Sequence, residues 1–75
     1  MKQTWQIGRK IYEATHVLNK DTHRGNSDKI CPEGTQVHLL TSRKVEIFGE
    51  SFWEVLVLPP TGGLFVTKWE NLTKL

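Results

Sequence analysis

Four side chains in this sequence can bind a metal or act as a base or nucleophile: His16, His23, His38 and Cys31. No two of them have the Cys-x-x-Cys or His-x-x-x-His spacing that makes a zinc site recognisable. Pro32 directly follows Cys31, which indicates a turn where the thiol packs as a small apolar group, and no acyl-enzyme motif surrounds it. We therefore predict no metal, no cofactor and no covalent catalysis at these residues.

Carboxylates offer no better case for catalysis. Glu46, Glu50 and Glu54 surround an expected hairpin, where exposed acids usually serve solubility. No glycine-rich phosphate loop follows a strand and opens a helix, so nucleotide hydrolysis has no support either. We predict that the protein is not an enzyme.

Basic side chains concentrate in two polar segments, residues 19–29 and 41–51, and we expect the fold to bring the aromatic residues Tyr12, Phe52 and Trp69 together with them. Such a set can hold an acidic peptide by charge-assisted hydrogen bonds, or a nucleic-acid strand by phosphate contacts and stacking. The plainer interpretation is solvated loop charge, partly cancelled by Asp21 and Asp28. The predicted partner-binding residues are Tyr12, Lys20, His23, Arg24, Lys29, Arg43, Lys44, Phe52 and Trp69.

Length and composition indicate one small globular domain. The chain has 75 residues, and a chain this short buries only about 60% of its unfolded surface, which leaves no room for two cores. Its 37% hydrophobic and 24% charged residues are ordinary for a globular protein. The formal net charge of +2 is too small to mark a nucleic-acid binder by itself.

The sequence lacks the usual signals for export or membrane insertion. Residues 1–5 have no apolar core like that of a signal peptide, and the longest apolar run, Val55 to Leu58, is far shorter than the roughly 20 residues that span a bilayer. Cys31 is the only cysteine, so no internal disulfide can form. We expect a cytoplasmic protein with no membrane partner.

Side-chain alternation predicts strands in the second half of the chain. Residues 36–40 alternate with the two-residue period of a half-buried strand, and residues 41–44 break that pattern. Residues 52–58 form the strongest strand, in which Trp53, Val55 and Val57 are predicted to point inward. The polar segment 19–29 is predicted to be a solvated loop. Turns are predicted at residues 31–35, 49–51 and 59–63.

The segment from residue 7 to residue 18 fits two patterns. Ile7, Ile11, Ala14 and Leu18 have helical spacing, whereas Tyr12, Ala14, His16 and Leu18 alternate as in a strand. We favour the strand because this segment is rich in poor helix formers and has no capping box. Ahead of it, Trp5 lies in a predicted N-terminal arm, residues 1–9, where it either covers the domain or forms an exposed anchor.

In this order the elements resemble an SH3 domain: an opening strand, a long polar loop, a Gly-marked turn, two strands, a tight hairpin and a short last strand. Short motifs carry the resemblance through residues 10–75. They are Ile11-Tyr12-Glu13-Ala14, Gly34-Thr35-Gln36-Val37-His38-Leu39-Leu40, Phe52-Trp53-Glu54-Val55, Gly63-Leu64-Phe65-Val66 and Leu72-Thr73-Lys74-Leu75. The resemblance implies an all-β fold, a small five-stranded SH3-like barrel over residues 10–75.

The resemblance also implies a groove flanked by the loops at 19–29 and 41–51. In the family this groove binds proline-rich peptides between aromatic rings. Here Phe52 stands in the place of the groove Trp, and Thr67 stands where the family has the Pro of its Pro-x-x-Tyr motif. These departures imply the SH3 shape used on a different ligand.

Two functions follow as expectations. The first is a small protein-interaction module, acting as an adaptor, an inhibitor or an assembly subunit, for example a phage or plasmid accessory protein. The alternative is DNA or RNA binding by a small β-barrel, which predicts an affinity that falls steeply with salt. Self-association through Leu56 and Leu58 is compatible with either function.

Overall fold

The computed structural model describes residues 2–24 and 28–75, and the side chains of residues 24–29 lie outside the described part. Within that part the chain is all β, as predicted, apart from one 3-10 helix of three residues. No helix there is long and apolar enough to cross a membrane. The elements are β1 (Thr4–Ile7), β2 (Lys10–Glu13), β3 (His16–Leu18), β4 (Thr22–Arg24), β5 (Asp28–Cys31), β6 (Gln36–Ile47), β7 (Glu50–Leu58), β8 (Phe65–Lys68), the 3-10 helix (Trp69–Asn71) and β9 (Leu72–Lys74).

Five strands form one antiparallel sheet in the order β8-β7-β6-β3-β9. The last strand thus pairs with β3. The sheet is open, because β8 and β9 are its two edges and do not pair with each other in the described residues. Two hairpins, β1–β2 and β4–β5, form separate two-stranded sheets.

The core forms where alternate residues of neighbouring strands point to the same side. Val55 and Val57 of β7 are buried there, as their alternation predicts. Trp53 belongs to the same alternation but is 52% exposed, because it lies beyond the end of the core. The core cluster consists of Leu18, Cys31, Val37, Val55, Val57 and Phe65.

Strand β6 is longer than the sequence pattern indicates. Its pairing with β7 shifts between Leu39 and Thr41, so that Leu40 is an extra residue in the ladder. A bulge of this kind disturbs the two-residue alternation without ending the strand. The break predicted at residues 41–44 is therefore wrong, and β6 continues to Ile47.

The segment from residue 7 to residue 18 contains strands and no helix, so the strand interpretation is correct. Trp5 lies opposite Tyr12 in the β1–β2 hairpin and is half-buried, which makes it a packed residue rather than an exposed anchor. The hairpin is joined to β6 by hydrogen bonds. The backbone N–H of Gln3 donates to Gln36 Oε1 at 2.7 Å, and His38 Nδ1 lies 2.8 Å from the Glu13 carbonyl oxygen.

The solvated loop predicted for residues 19–29 is wrong where the structure describes this segment, because β4 (Thr22–Arg24) pairs with β5 (Asp28–Cys31), and residues 25–27 lie outside the described part. The physical reason is the buried side chain of Thr22. Its Oγ1 accepts the Cys31 N–H at 3.2 Å and donates to the Cys31 carbonyl oxygen at 3.1 Å. This pair ties a polar segment to the core, since Cys31 belongs to the core cluster.

Candidate functional site

We call the distal half of the β6–β7 hairpin, residues 43–54, the ribbon. Over Glu50–Trp53, β7 has no strand neighbour other than β6 among the described residues, because β8 pairs with β7 only from Glu54 onward. No residue from 43 to 54 is buried. The domain measures 41 × 25 × 23 Å along its principal axes. The ribbon is therefore a two-stranded arm with solvent on both faces.

The ribbon ends in a two-residue turn, Phe48-Gly49. Both residues have positive φ, +51° for Phe48 and +81° for Gly49, as a type I′ hairpin turn requires. Asn or Asp usually precedes the Gly of such a turn, and a bulky residue there costs about 1 kcal/mol. Phe48 is nonetheless fully exposed, at 102% of its reference area, and neighbouring Ile47 is 48% exposed. A strained, exposed aromatic side chain at a projecting tip indicates a functional position.

One face of the ribbon, here the outer face, combines apolar side chains with a tight ion pair. Val45 and Phe52 lie opposite each other and are half-buried. Beside them, Arg43 Nε and Nη2 donate to Glu54 Oε1 at 2.9 and 2.7 Å. Lys68 of β8 places its Nζ 5.1 Å from the centre of the Phe52 ring. Phe52 and Arg43 are thus held by neighbours on this face.

The other face of the ribbon, here the inner face, continues the side of the sheet that carries the core. A cleft of about 260 Å³ lies at its base, lined by Ser42, Trp53 and Trp69. Trp53 and Trp69 are 52% and 49% exposed. Lys44 lies opposite Trp53 in the ladder. An apolar group entering this cleft would meet two indole rings.

His16 supports Trp69 from the core side, with the two ring centres 5.4 Å apart at an interplanar angle of 66°. His16 Nδ1 lies 2.8 Å from Thr15 Oγ1, which also accepts the Leu39 N–H at 2.9 Å. Nε2 of the ring is buried and has no hydrogen-bond partner among the described residues. A protonated ring would carry an N–H at Nε2 without an acceptor, so this site favours the neutral ring.

Electrostatics reinforce that neutral form. Burial lowers the pKa of His16 below its ordinary value of 6.5, and the positive charge of Lys74 lowers it further. Lys74 lies opposite His16 in the β3–β9 ladder. Uncharged His16 is therefore part of the folded structure that holds Trp69.

Cys31 is in an environment unlike that of a nucleophile. Its thiol is free and buried, and burial raises its pKa, so the reactive thiolate is disfavoured. In the described residues no three His, Cys, Asp or Glu side chains gather as a metal site requires.

The residues predicted to bind a partner do not share one surface. Phe52 and Arg43 lie on the outer face of the ribbon, whereas Lys44 lies on its inner face, because successive residues of a strand point to opposite sides. Trp69 lines the cleft at the base of the inner face. Tyr12 packs edge-on against His38, with ring centres 5.2 Å apart. Lys20 and His23 are exposed after β3 and in β4. The side chains of Arg24 and Lys29 lie outside the described residues.

The tip lies within the predicted binding segment 41–51, but the sequence patterns do not single out Phe48, because it falls between a strand pattern and a turn pattern. The signal for Phe48 is an aromatic residue directly before Gly49, in a hairpin turn where a polar residue is the usual choice. Alternation predicts Trp53 in the core, because it does not reveal where a core ends.

Comparison with known proteins returned no match, whether to a protein-family model, to a curated protein or to a solved structure.

Proposed function

We propose that this chain is a non-catalytic protein-interaction module whose docking element is the ribbon. The observation that carries the proposal is Phe48, fully exposed at the tip and held at φ +51°. A rigid aromatic side chain loses little conformational freedom on binding, and aromatic anchors dominate the energetics of many interfaces. A polar residue at this position would give a more stable turn, so an exposed Phe here favours a binding role.

We infer an SH3-like shape for the domain that carries the ribbon. The order of elements supports this inference. β3 corresponds to the opening strand of an SH3 domain, and the β4–β5 hairpin takes the place of the long polar loop. β6 and β7 then follow the turn at Gly34 and correspond to the next two strands. A turn with Gly62 at φ +93° leads to β8, and β9 closes the series. The ribbon then occupies the position of the loop predicted at residues 41–51.

A protein partner is favoured over DNA or RNA by the charges of the ribbon. The ribbon carries two cations, Arg43 and Lys44, and three carboxylates, Glu46, Glu50 and Glu54, so its net charge is −1. Two of those carboxylates flank the tip, where they would repel phosphates. Apolar Ile47 and Phe48 between them suit a protein pocket better than a nucleic-acid backbone.

The setting we propose remains the cytoplasm, because a free buried thiol at Cys31 suits a reducing compartment. Within this proposal the choice among adaptor, inhibitor and assembly subunit depends on which protein binds the ribbon.

The test uses a photoreactive side chain at the tip. Phe48→p-benzoylphenylalanine is irradiated both as purified protein and in a lysate of the source cells. The control carries the same group in place of Ile11, which is 70% exposed on the β1–β2 hairpin. We expect adducts from position 48 that excess wild-type chain suppresses and excess Phe48→Asn chain does not.

A photoproduct joining two copies of this chain also supports docking through the ribbon. If position 48 gives no more adduct than position 11 in either sample, the proposal is wrong.

A further inference from the structure

We infer that the partner of the ribbon is a second copy of this chain, with the two β6 strands paired antiparallel beside Val45. The inference rests on the proposed function in that it takes the ribbon as the docking element. It adds the identity of the partner, the register of the contact and the residues that specify that register.

The first observation is an open strand edge. On one side β6 pairs with β7 as far as Ile47, whereas on the other side it pairs with β3 only at Gln36 and Val37. From Thr41 to Ile47 that second side has no strand neighbour among the described residues. A long open edge with unpaired N–H and C=O groups is a template for another strand.

The turn determines which residues present their backbone groups to that edge. A two-residue hairpin turn is closed by a hydrogen-bonded pair, here Ile47 and Glu50. Hydrogen-bonded and non-hydrogen-bonded pairs then alternate along the ladder. Arg43 and Val45 therefore direct their backbone groups toward β7, as Ile47 does. Ser42, Lys44 and Glu46 direct theirs outward.

Two copies can pair antiparallel only when outward-directed residues stand opposite one another. Four symmetric registers near the middle of the open edge meet this condition: Ser42 opposite Lys44, Lys44 opposite Lys44, Lys44 opposite Glu46, or Glu46 opposite Glu46. The first places Arg43 opposite Arg43, and the second and fourth also place like charges together. The third forms a Lys44–Glu46 pair twice, because the two-fold symmetry repeats it.

Both charges are available for this pairing. Lys44 and Glu46 are exposed and make no ion pair with any described residue, whereas neighbouring Arg43 is bound to Glu54. Charged residues on an edge strand normally discourage pairing. Here an alternating cation and anion, two residues apart on the same face, make the edge complementary to itself.

The same register brings apolar groups together on the outer face. Val45 of one copy lies directly opposite Val45 of the other, in a non-hydrogen-bonded pair, where side chains approach most closely. Phe52 stands behind Val45 in each copy. The half-buried Val45 and Phe52 side chains of the two copies thus form one continuous apolar strip across the joined sheet.

The register also provides a site for the exposed tip. Phe48 of each copy comes opposite Ser42 of the other, and Ser42 lines the cleft between Trp53 and Trp69. The exposed Phe48 ring of each copy then meets the cleft between Trp53 and Trp69 of the other copy. Because the two contacts are identical and reciprocal, the assembly closes as a dimer and does not extend into a fibre.

The experiment is sedimentation velocity of the full chain over a range of concentrations, with charge-reversed variants. We expect a wild-type dimer. Lys44→Glu or Glu46→Lys alone places like charges opposite each other twice, and raises the dimer Kd roughly tenfold or more. The double variant Lys44→Glu/Glu46→Lys recovers the wild-type Kd, because the pairs re-form with their signs exchanged.

Mixing the two single variants gives the sharpest result. In a mixed dimer both glutamates of the Lys44→Glu chain face lysines of the Glu46→Lys chain, so the mixture dimerises more tightly than either variant alone. Lys20→Glu is the matched control, since it makes the same charge change on an exposed residue outside the ribbon, and it leaves the dimer unchanged.

The inference is overturned if the wild-type chain is monomeric at every concentration, or if its dimer is indifferent to the charge reversals. A monomeric chain that still gives a position-48 adduct with another protein leaves the proposed function in place. A monomeric chain with no such adduct removes both.

Discussion

The imidazole of His16 lies edge-on to the indole of Trp69, with ring centres 5.4 Å apart and planes inclined by 66°. His16 is 8% exposed and belongs to the interior, whereas Trp69 is 49% exposed and lines the cleft at the base of the ribbon. An interior titratable ring thus packs directly against a residue of the candidate binding surface. Acid is expected to disturb both.

His16 makes stability depend on pH. Burial lowers its pKa in the folded chain below the ordinary value of 6.5, so at mildly acidic pH the unfolded chain takes up the proton first. Above pH 6.5 the ring is neutral in both states, so stability does not depend on its protonation. As the pH falls from 6.5 toward the lowered pKa, the free energy of unfolding decreases progressively. Urea titrations on both sides of pH 6.5 measure this loss. We expect His16→Gln to reduce it.

Phe48→Asn is expected to stabilise the domain. Asn adopts positive φ more easily than Phe and precedes Gly in the preferred type I′ turn, so the free energy of unfolding should rise by about 1 kcal/mol. Gly49→Ala is the counterpart, and should lower it by about the same amount because a Cβ is strained at φ +81°. Denaturant unfolding at a concentration where the chain is monomeric separates this effect from association. A destabilised Phe48→Asn variant would show that the tip is not strained.

Thr22→Val tests how the β4–β5 hairpin is attached to the core. The change keeps the shape of the side chain but removes the hydroxyl that both accepts the Cys31 N–H and donates to the Cys31 carbonyl oxygen. Leaving these buried groups without their partner should cost about 1–3 kcal/mol in urea unfolding. Thr41→Val, at an exposed position of β6, is the control and should change stability by no more than about 0.5 kcal/mol.

Cys31 reports opening of the core. It is the only cysteine, it is buried, and its pKa is raised, so its thiol should react with an aromatic disulfide on the order of a hundredfold more slowly in the folded chain than in urea. Thr22→Val should accelerate the reaction of the folded chain, because it weakens the strand that carries Cys31. Equal reaction rates in the folded and unfolded chains would contradict the placement of Cys31 in the core.

Much of the fold could be predicted from side-chain type and period. The alternation in residues 52–58 predicted β7 and the burial of Val55 and Val57, because a half-buried strand requires that period. The turn residues after Leu58 predicted the end of β7 at the point where it ends. Poor helix formers in residues 7–18 favoured strands over a helix, and strands form there.

The sequence missed features that depend on partners distant along the chain. Residues 19–29 have the composition of a loop, yet Thr22 pairs with Cys31 and places residues 22–24 in a strand. Residues 41–44 lack alternation because all four are polar and exposed, and only their pairing with β7 shows that the strand continues through them. The predicted binding set combines residues from both faces of the ribbon, since composition alone does not assign residues to a common face.

By itself the sequence determined an all-β domain, the inward residues of its strongest strand and the scarcity of catalytic groups, because these depend on residue types and local period. Only the tertiary structure decided where pairing stops. β6 extends past β3, and β7 extends past β8, so residues 43–54 project into solvent, and within the described part of the chain one edge of β6 there is unpaired. Strand lengths on neighbouring segments create that ribbon, and a single strand carries no information about the length of its neighbours.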